Sequence, residues 1–171
     1  LEQIALLVEI IGGIAIIISL IFVGMQLKES SKATRSATAA TTASEITSWY
    51  SNLGNSEQGS YVFWNFMTNP ESLTPEQRFQ AIINIHGIMV TWQNSYYLLK
   101  EGTLDKRVHE SLLEIVNGVK NNPGFHIFWQ ERKLIFLLEF QEYVEEIMAT
   151  DKLNSVGVYQ SETEKTNANN V

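Results

Sequence analysis

The sequence predicts an all-α protein in which an N-terminal transmembrane helix continues into a stalk and leads to a small cytoplasmic helical bundle. An apolar run with one charge opens the chain, helical spacing of apolar residues follows, and no stretch alternates with the period of two expected of a strand. We place a transmembrane anchor at residues 1–27, a helical stalk at 28–54, a helical domain at 55–149 and a polar, flexible tail at 150–171.

The apolar run IALLVEIIGGIAIIISLIFVGM, residues 4–25, contains Glu9 as its one ionisable residue. A helix of this length rises roughly 30 Å, about the thickness of a bilayer's hydrocarbon core. A cleaved signal peptide would need a basic start and a shorter apolar core, and a buried core helix is the remaining alternative. The length of the run and its acidic N-terminal flank favour the membrane anchor.

The net charge of −7 is unevenly distributed, because Lys28, Lys32 and Arg35 form a basic collar directly after the apolar run. An acidic body argues against a nucleic-acid partner, since phosphates require a basic surface. Basic residues beside a span stay in the cytoplasm, so we expect a cytoplasmic domain and an external N-terminus. Without cysteine, the chain has neither disulfides nor thiolate metal sites.

Small and polar residues within the span recur three, four or seven positions apart, which places them near one stripe of the helix. They are Ala5, Glu9, Gly12, Ala15, Ser19 and Gln26. Such a stripe favours close helix packing in lipid, with copies of the chain or with another membrane protein. The alternative is that these residues have no role beyond that of small residues in any span. Glu9 either lies at the outer interface or is buried, and then it is protonated or paired.

After the span, no helix breaker occurs before Gly54, so we expect the transmembrane helix to continue as the stalk. Residues 36–43 lack large apolar side chains and are either solvated or packed against identical stalks. A short helix around 57–67 carries more apolar surface than one face can bury, and we interpret its large residues as an interaction surface. They are Tyr61, Phe63, Trp64, Phe66 and Met67.

Thr74, followed by Pro75 and Gln77, predicts a helix start with a capping box, and Gly102 predicts the end of that helix. Because its apolar residues surround most of its circumference, we expect it to be the hub of the domain. Further helical segments are predicted at residues 105–121, 125–136 and 139–149.

No motif of catalysis, metal binding or nucleotide binding stands out. His86, His109 and His126 fall on three different predicted helices, and no Glu-x-x-His or His-x-x-x-His spacing occurs. Gly-rich phosphate loops are also lacking. We therefore predict no cofactor and no catalytic residues.

The run IIGGIAIIISLIFVGMQLKESSKATRSAT resembles the start of a group of small uncharacterised bacterial membrane proteins. The segments NPESLTPEQRFQ, YYLLKEGTLD and NNPGFHIFWQERKLIF are similar to later segments of the same group. The resemblance implies a single-pass anchor in the bacterial inner membrane and a helical cytoplasmic domain. It implies no activity.

Three functions are compatible with these patterns. The first is a membrane-anchored module, without catalysis, that assembles with itself or serves as an accessory subunit of a membrane complex. The second is a pore or ion-conducting assembly lined by Glu9 and Ser19. The third is a membrane-tethered enzyme or small-ligand sensor with a pocket near His86, Trp92 and Tyr96.

Overall fold

A computed structural model describes residues 2–150, except for the side chains of residues 5–7. The predicted tail therefore lies outside the described residues beyond Thr150. Within residues 2–150 the protein is all-α, as predicted. The helices are α1 (Glu2–Gly54), α2 (Glu57–Thr68), α3 (Pro75–Lys100), α4 (Lys106–Val119), α5 (Pro123–Arg132) and α6 (Leu138–Ala149), with short 3₁₀ turns at Pro70–Ser72 and Lys133–Ile135.

Helix α1 is one uninterrupted helix of 53 residues that contains both the predicted anchor and the predicted stalk. At 1.5 Å per residue, it is roughly 80 Å long. Its second half lies alongside the bundle and packs against α2, α3 and α4. The contacts of α1 thus cross the predicted boundary between stalk and domain at residue 54.

Helix α3 begins and ends where the sequence predicts. Thr74 accepts a hydrogen bond from the amide of Gln77, whose side chain in turn accepts one from the amide of Thr74. Gly102 follows the helix with a φ of 71°, a conformation that glycine adopts without strain. Helix α3 packs against α1, α2, α4 and α5, which confirms its predicted position at the centre of the bundle.

The core of the bundle is dominated by aromatic side chains from α2, α3, α5 and α6. Its buried rings are Phe63, Phe66, Trp92, Phe125, Phe128, Trp129, Phe136 and Phe140. Trp92 and Phe140 meet edge to face with their ring centroids 5.1 Å apart, and Trp129 stacks on Phe136 at 5.8 Å. These geometries are the favourable ones for aromatic pairs.

Helices α2 and α5 approach each other so closely that only glycine fits between them. A Cβ atom on Gly124 would lie 2.0 Å from the carbonyl oxygen of Phe66. Helix α5 therefore begins at Pro123 and ends at Arg132, whereas the sequence predicted a segment at residues 125–136. Proline suits a first helical turn because its missing N–H has no partner there in any helix.

Candidate interaction surfaces and cavity

The described side chains in the first half of α1 are all exposed. Its large apolar side chains keep between 48% and 66% of their surface, and no part of the described chain covers them. Within residues 2–150, α1 is the one helix long and apolar enough to span a membrane. Side chains of this kind require a lipid environment or another protein.

The predicted small and polar stripe lies on this exposed half. Glu9, Gly12, Ala15, Ser19 and Gln26 are exposed, while the side chain of Ala5 lies outside the description. The hydroxyl of Ser19 donates to the carbonyl of Ala15 at 2.8 Å, so its hydrogen-bonding need is met within the helix. No described residue packs on the stripe, which leaves its role as a helix–helix interface a prediction.

The basic collar divides into two parts. Lys28 and Lys32 are exposed, whereas the Nε of Arg35 donates to the carbonyl of Gly102 at 2.8 Å. Hydrogen bonds from Arg107, with a smaller contribution from the charge of Arg35, lower the pKa of Asp105 to about 2. Arg35 thus fixes the loop between α3 and α4 to the stalk, a role that the sequence did not suggest.

The stalk residues pack against the chain's own bundle. The hydroxyl of Thr38 donates to the carbonyl of Thr103, Thr42 is buried, and the indole N–H of Trp49 donates to the carbonyl of Asn84 at 3.0 Å. The small side chains of residues 36–43 allow this close approach. The sequence had offered solvent or identical stalks as the surroundings of residues 36–43. Within this segment Thr38, Ala39 and Thr42 face the bundle instead, while the other five residues are exposed.

The predicted surface on α2 is wrong for three of its five residues. Phe63, Phe66 and Met67 are buried in the core, because α2 packs against α1, α3 and α5 at once and so buries more than one face. Tyr61 and Trp64 remain exposed. Two residues do not make a surface large enough to carry an interaction by themselves.

A larger apolar surface lies elsewhere, along α3 and the segment that leads into α6. We call it the α3–α6 surface. It consists of Phe79, Ile83 and Val90 from α3 with Leu134, Ile135, Leu137 and Leu138, all of them exposed. The two parts lie side by side, since the amide of Leu137 donates to the side chain of Gln93 at 2.9 Å and the rings of His86 and Phe136 are 5.4 Å apart.

Sequence reasoning missed the α3–α6 surface because periodicity does not tell which apolar side of a central helix faces the core. The side of α3 that carries Gly87 and Thr91 faces α1. There these two residues line a shallow groove with Thr41 and Ser44 of the stalk. The available signal was the run Leu134–Leu138, in which two large aliphatic residues lie on each side of Phe136.

Two ion pairs lie beside the α3–α6 surface. Arg78 pairs with Glu131 at 2.9 Å, and Lys100 pairs with Glu139. Each pair joins α3 to the chain near α5 or α6, so charges of both signs border the apolar side chains. An apolar centre with a polar rim is the usual composition of a protein–protein interface.

Among the described residues, a hydrogen-bonded polar chain crosses the bundle interior, formed by Ser95, His109 and Tyr143. The Oγ of Ser95 lies 2.9 Å from Nδ1 of His109, and Nε2 of His109 lies 2.9 Å from the hydroxyl of Tyr143. Burial lowers the pKa of His109 and raises the pKa of Tyr143 to about 12. Because Ser95 is fully buried and no carboxylate orients the histidine, this chain joins α3, α4 and α6 and does not resemble an exposed nucleophile with its base.

The described residues bring no three histidine, aspartate or glutamate side chains together in a way that could hold a metal ion. They do enclose a cavity of about 320 Å³ between α1, α2, α3 and α4. The sequence predicted a pocket near His86, Trp92 and Tyr96. Of these three residues, Trp92 lines the cavity, and His86 and Tyr96 do not.

Comparison with known proteins adds no assignment to these features. No protein-family model, no curated protein and no solved structure matches this chain.

Proposed function

We propose that this chain is an interaction module anchored in the bacterial inner membrane, with its N-terminus outside and its bundle in the cytoplasm. It assembles with itself, directly or as an accessory subunit of a larger membrane complex, and catalyses no reaction. The collar residues Lys28 and Lys32 support the orientation, because basic residues beside a span stay cytoplasmic. The resemblance noted above supports the bacterial membrane.

The α3–α6 surface is the observation that carries the proposal. Its seven large side chains each expose roughly 100 Å², so the surface is on the order of 700 Å². That exceeds the largest apolar patch of a typical monomer, about 300–600 Å², and approaches the ~800 Å² that each partner buries in a standard interface. A surface of this size in water is unfavourable unless another protein covers it.

A second copy of the chain is the occupant that the bordering charges favour. The pairs Arg78–Glu131 and Lys100–Glu139 each sum to zero, so two identical surfaces do not repel each other despite the acidic chain. An anionic lipid surface would instead attract a predominantly basic rim. A two-fold arrangement would place the same surface of both copies in contact.

The mass of the particle in mild detergent, measured by light scattering after size exclusion, tests this proposal. We expect at least two copies in the wild type and a monomer after Leu134→Glu, which buries a charge in the interface. Leu134 is 84% exposed, so the change leaves the bundle intact. Tyr61→Glu, an exposed position on α2, is the matched control and should leave the mass unchanged.

A second variant separates contact through the α3–α6 surface from contact between the spans. Ser19→Leu enlarges a small residue of the span stripe and should weaken assembly if the spans also touch. A strictly monomeric wild type without a partner, or a mass that neither Leu134→Glu nor Ser19→Leu alters, contradicts the proposal. A ring of five or more copies would instead support the ion-conducting alternative, because a dimer has no room for a pore.

A further inference from the structure

The cavity between α1, α2, α3 and α4 is a mostly apolar space that opens to solvent. Among the described residues that line it, Glu114 is the only charged one, and α4 also contributes Gly118 and Val119. Tyr50 and Glu114 line the cavity and are exposed, so it opens beside them. Protein interiors have few voids larger than a water molecule, whereas this space measures about 320 Å³.

Lys120, the residue after Val119, holds the end of α6 close to the end of α4. Its side chain is buried, and its Nζ donates to the carbonyl of Ile147 at 3.0 Å and to both the carbonyl and the hydroxyl of Thr150. Thr150 is exposed, so the chain leaves the bundle at its surface there. The residues that follow Thr150 therefore start one lysine side chain away from the end of α4, which lines the cavity.

The sequence beyond Thr150 contains a stretch that suits this cavity. Residues 153–159, LNSVGVY, carry no charge, and four of the seven are apolar. Val156 and Val158 are two positions apart, so an extended chain presents both side chains to the same side. The cavity holds about ten non-hydrogen atoms, more than these two side chains contain together. An uncharged segment can enter an apolar space without the desolvation of an ion.

We propose that residues 153–159 dock on the cavity of their own chain and insert Val156 and Val158 between α1 and α4. From Thr150 to Val156, an extended chain covers roughly 20 Å. The longest way around α4 is half the circumference of a helix, about 16 Å for a diameter of about 10 Å. The connection is therefore long enough to reach the cavity by any path around this helix.

The covalent connection also favours this segment over other occupants. A segment joined to its site by a few residues has an effective concentration on the order of millimolar. A dissolved ligand, or the same segment of a second copy, competes only at a similar concentration or with higher affinity. This inference depends on neither the membrane span nor self-association, so its failure would leave the proposed function unchanged.

Disulfide formation between two introduced cysteines tests the docking, because the chain has no cysteine of its own. Glu114→Cys places a thiol at the opening of the cavity, and Gln160→Cys places one directly after the segment. A disulfide requires Cα atoms within about 7 Å of each other. The control combines Gln160→Cys with Arg107→Cys, an exposed position on the same face of α4 but about 10 Å nearer its start.

The full chain in nanodiscs is placed in a glutathione redox buffer, and the disulfide is identified by peptide mass mapping of the monomer band on a non-reducing gel. We expect the pair at 114 and 160 to form its intramolecular disulfide at least about tenfold faster than the control pair, since docking raises the local concentration of the second thiol.

Variants within the cysteine pair locate the contact. Val158→Asp places a charge in the apolar space and should slow disulfide formation to the rate of the control pair. Val171→Asp makes the same change outside the segment and should leave the rate unchanged. Val119→Phe fills the cavity and should also slow the reaction. The two aspartate variants keep the test valid even if this core variant fails to fold.

Equal rates for the two cysteine pairs overturn the proposal, and so does a rate that Val158→Asp leaves unchanged. A disulfide that joins two chains, seen as a dimer band, would assign the cavity to the segment of a second copy and overturns it as well. A fast intramolecular disulfide that Val158→Asp slows and Val171→Asp retains supports it.

Discussion

The first half of α1, residues 2–27, and its second half, residues 35–53, belong to one uninterrupted helix but have opposite surroundings. The first half has mostly large aliphatic residues, and none of its described side chains is buried. The second half has mostly small and hydroxyl side chains, yet it packs into the bundle through Thr38, Thr42 and Trp49. Hydropathy by itself would predict that the first half is buried and that the second half is exposed.

The difference shows that side-chain size and hydrogen bonding, as well as apolarity, decide where a helix packs. Large apolar residues without a neighbour in the described chain require lipid or another protein to cover them. Small residues let another segment come close enough for a hydroxyl to reach a backbone carbonyl, as Thr38 reaches Thr103. We call residues 2–27 the membrane half, after the proposed span, and residues 35–53 together with the bundle the bundle half. Mutations in one of them should leave the stability or insertion of the other unchanged.

The largest effect is expected from Gly124→Ala, which disrupts the bundle half alone. The new Cβ would lie 2.0 Å from the carbonyl oxygen of Phe66, and backbone atoms cannot move aside as a flexible side chain can. We expect a loss of at least about 3 kcal/mol in the free energy of unfolding of the bundle. Urea unfolding in nanodiscs, followed by tryptophan fluorescence, measures it.

The matched control for this prediction is Gly87→Ala in α3, where a Cβ atom meets nothing within 4 Å. Alanine should leave stability unchanged or raise it by up to about 1 kcal/mol, because glycine is unfavourable inside a helix. Membrane fractionation should find both variants inserted. Equal stabilities of the two variants would show that α2 and α5 do not approach as closely as described.

The second-largest effect is expected on membrane insertion, from a change in the membrane half. Ile17 lies on the side of α1 opposite the small and polar stripe, and in the proposed membrane span Ile17→Arg places a charge near the bilayer centre. Insertion should become less favourable by about 3 kcal/mol. Thr47→Arg, at an exposed position in the second half of α1, is the control and should insert normally.

Membrane fractionation compares the two arginine variants, and urea unfolding of the bundle provides the second measurement. Ile17→Arg should leave the urea midpoint of the bundle unchanged, since no described residue of the bundle contacts the span half. A lowered midpoint would mean that the two halves are coupled and that the comparison between them fails.

Acid should destabilise the bundle half through His109, which is buried, and His86, which is partly buried. Burial lowers the pKa of His109, and burial together with the charge of Arg132 lowers the pKa of His86. The unfolded chain then binds more protons than the folded one once the pH falls below about 6.5. Stability should be full above that pH and decrease as the pH falls through the folded-state pKa.

The free energy of unfolding, measured between pH 8 and pH 5, checks the acid effect. Carboxylates whose pKa is lowered, such as Asp105, lose their contribution in a more acidic range, so they do not interfere. His109→Gln keeps one donor and one acceptor for Ser95 and Tyr143 but does not titrate, and it should flatten the pH profile. A profile as steep as that of the wild type would assign the effect to other groups.

Local signals in the sequence were sufficient for the two ends of α3. The capping residues Thr74 and Gln77 and the glycine at 102 fix α3 through contacts within a few residues of each other. The continuity of α1 followed in the same way from the lack of a breaker before Gly54. These features depend on local chemistry, which a single sequence contains.

Local signals could not predict which apolar residues face the core or which distant residues are in contact. Phe66 is buried because α2 has neighbours on several sides, and Phe79 is exposed although its helix is the hub. Periodicity identifies apolar positions without stating which of them face the core. The contact of Arg35 with Gly102 joins residues 67 apart, and no local pattern encodes it.

The smallest effect tests the boundary between the two halves of α1. Thr34 and Thr38 both donate to the carbonyl four residues earlier, at 3.0 Å, but only Thr38 also reaches the carbonyl of Thr103. Thr38→Val should cost about 1 kcal/mol, the usual net value of one hydrogen bond. It should also speed amide exchange in the loop at residues 101–104.

Thr34→Val is the control for this last change, because it removes the same local hydrogen bond from the same helix and should alter neither measurement. If both valines act alike, the effect comes from the helix itself and the contact with Thr103 contributes nothing. If only Thr38→Val acts, the bundle half of α1 begins between these two residues. Arg35, which lies between them, then makes the first contact outside the helix, through the carbonyl of Gly102.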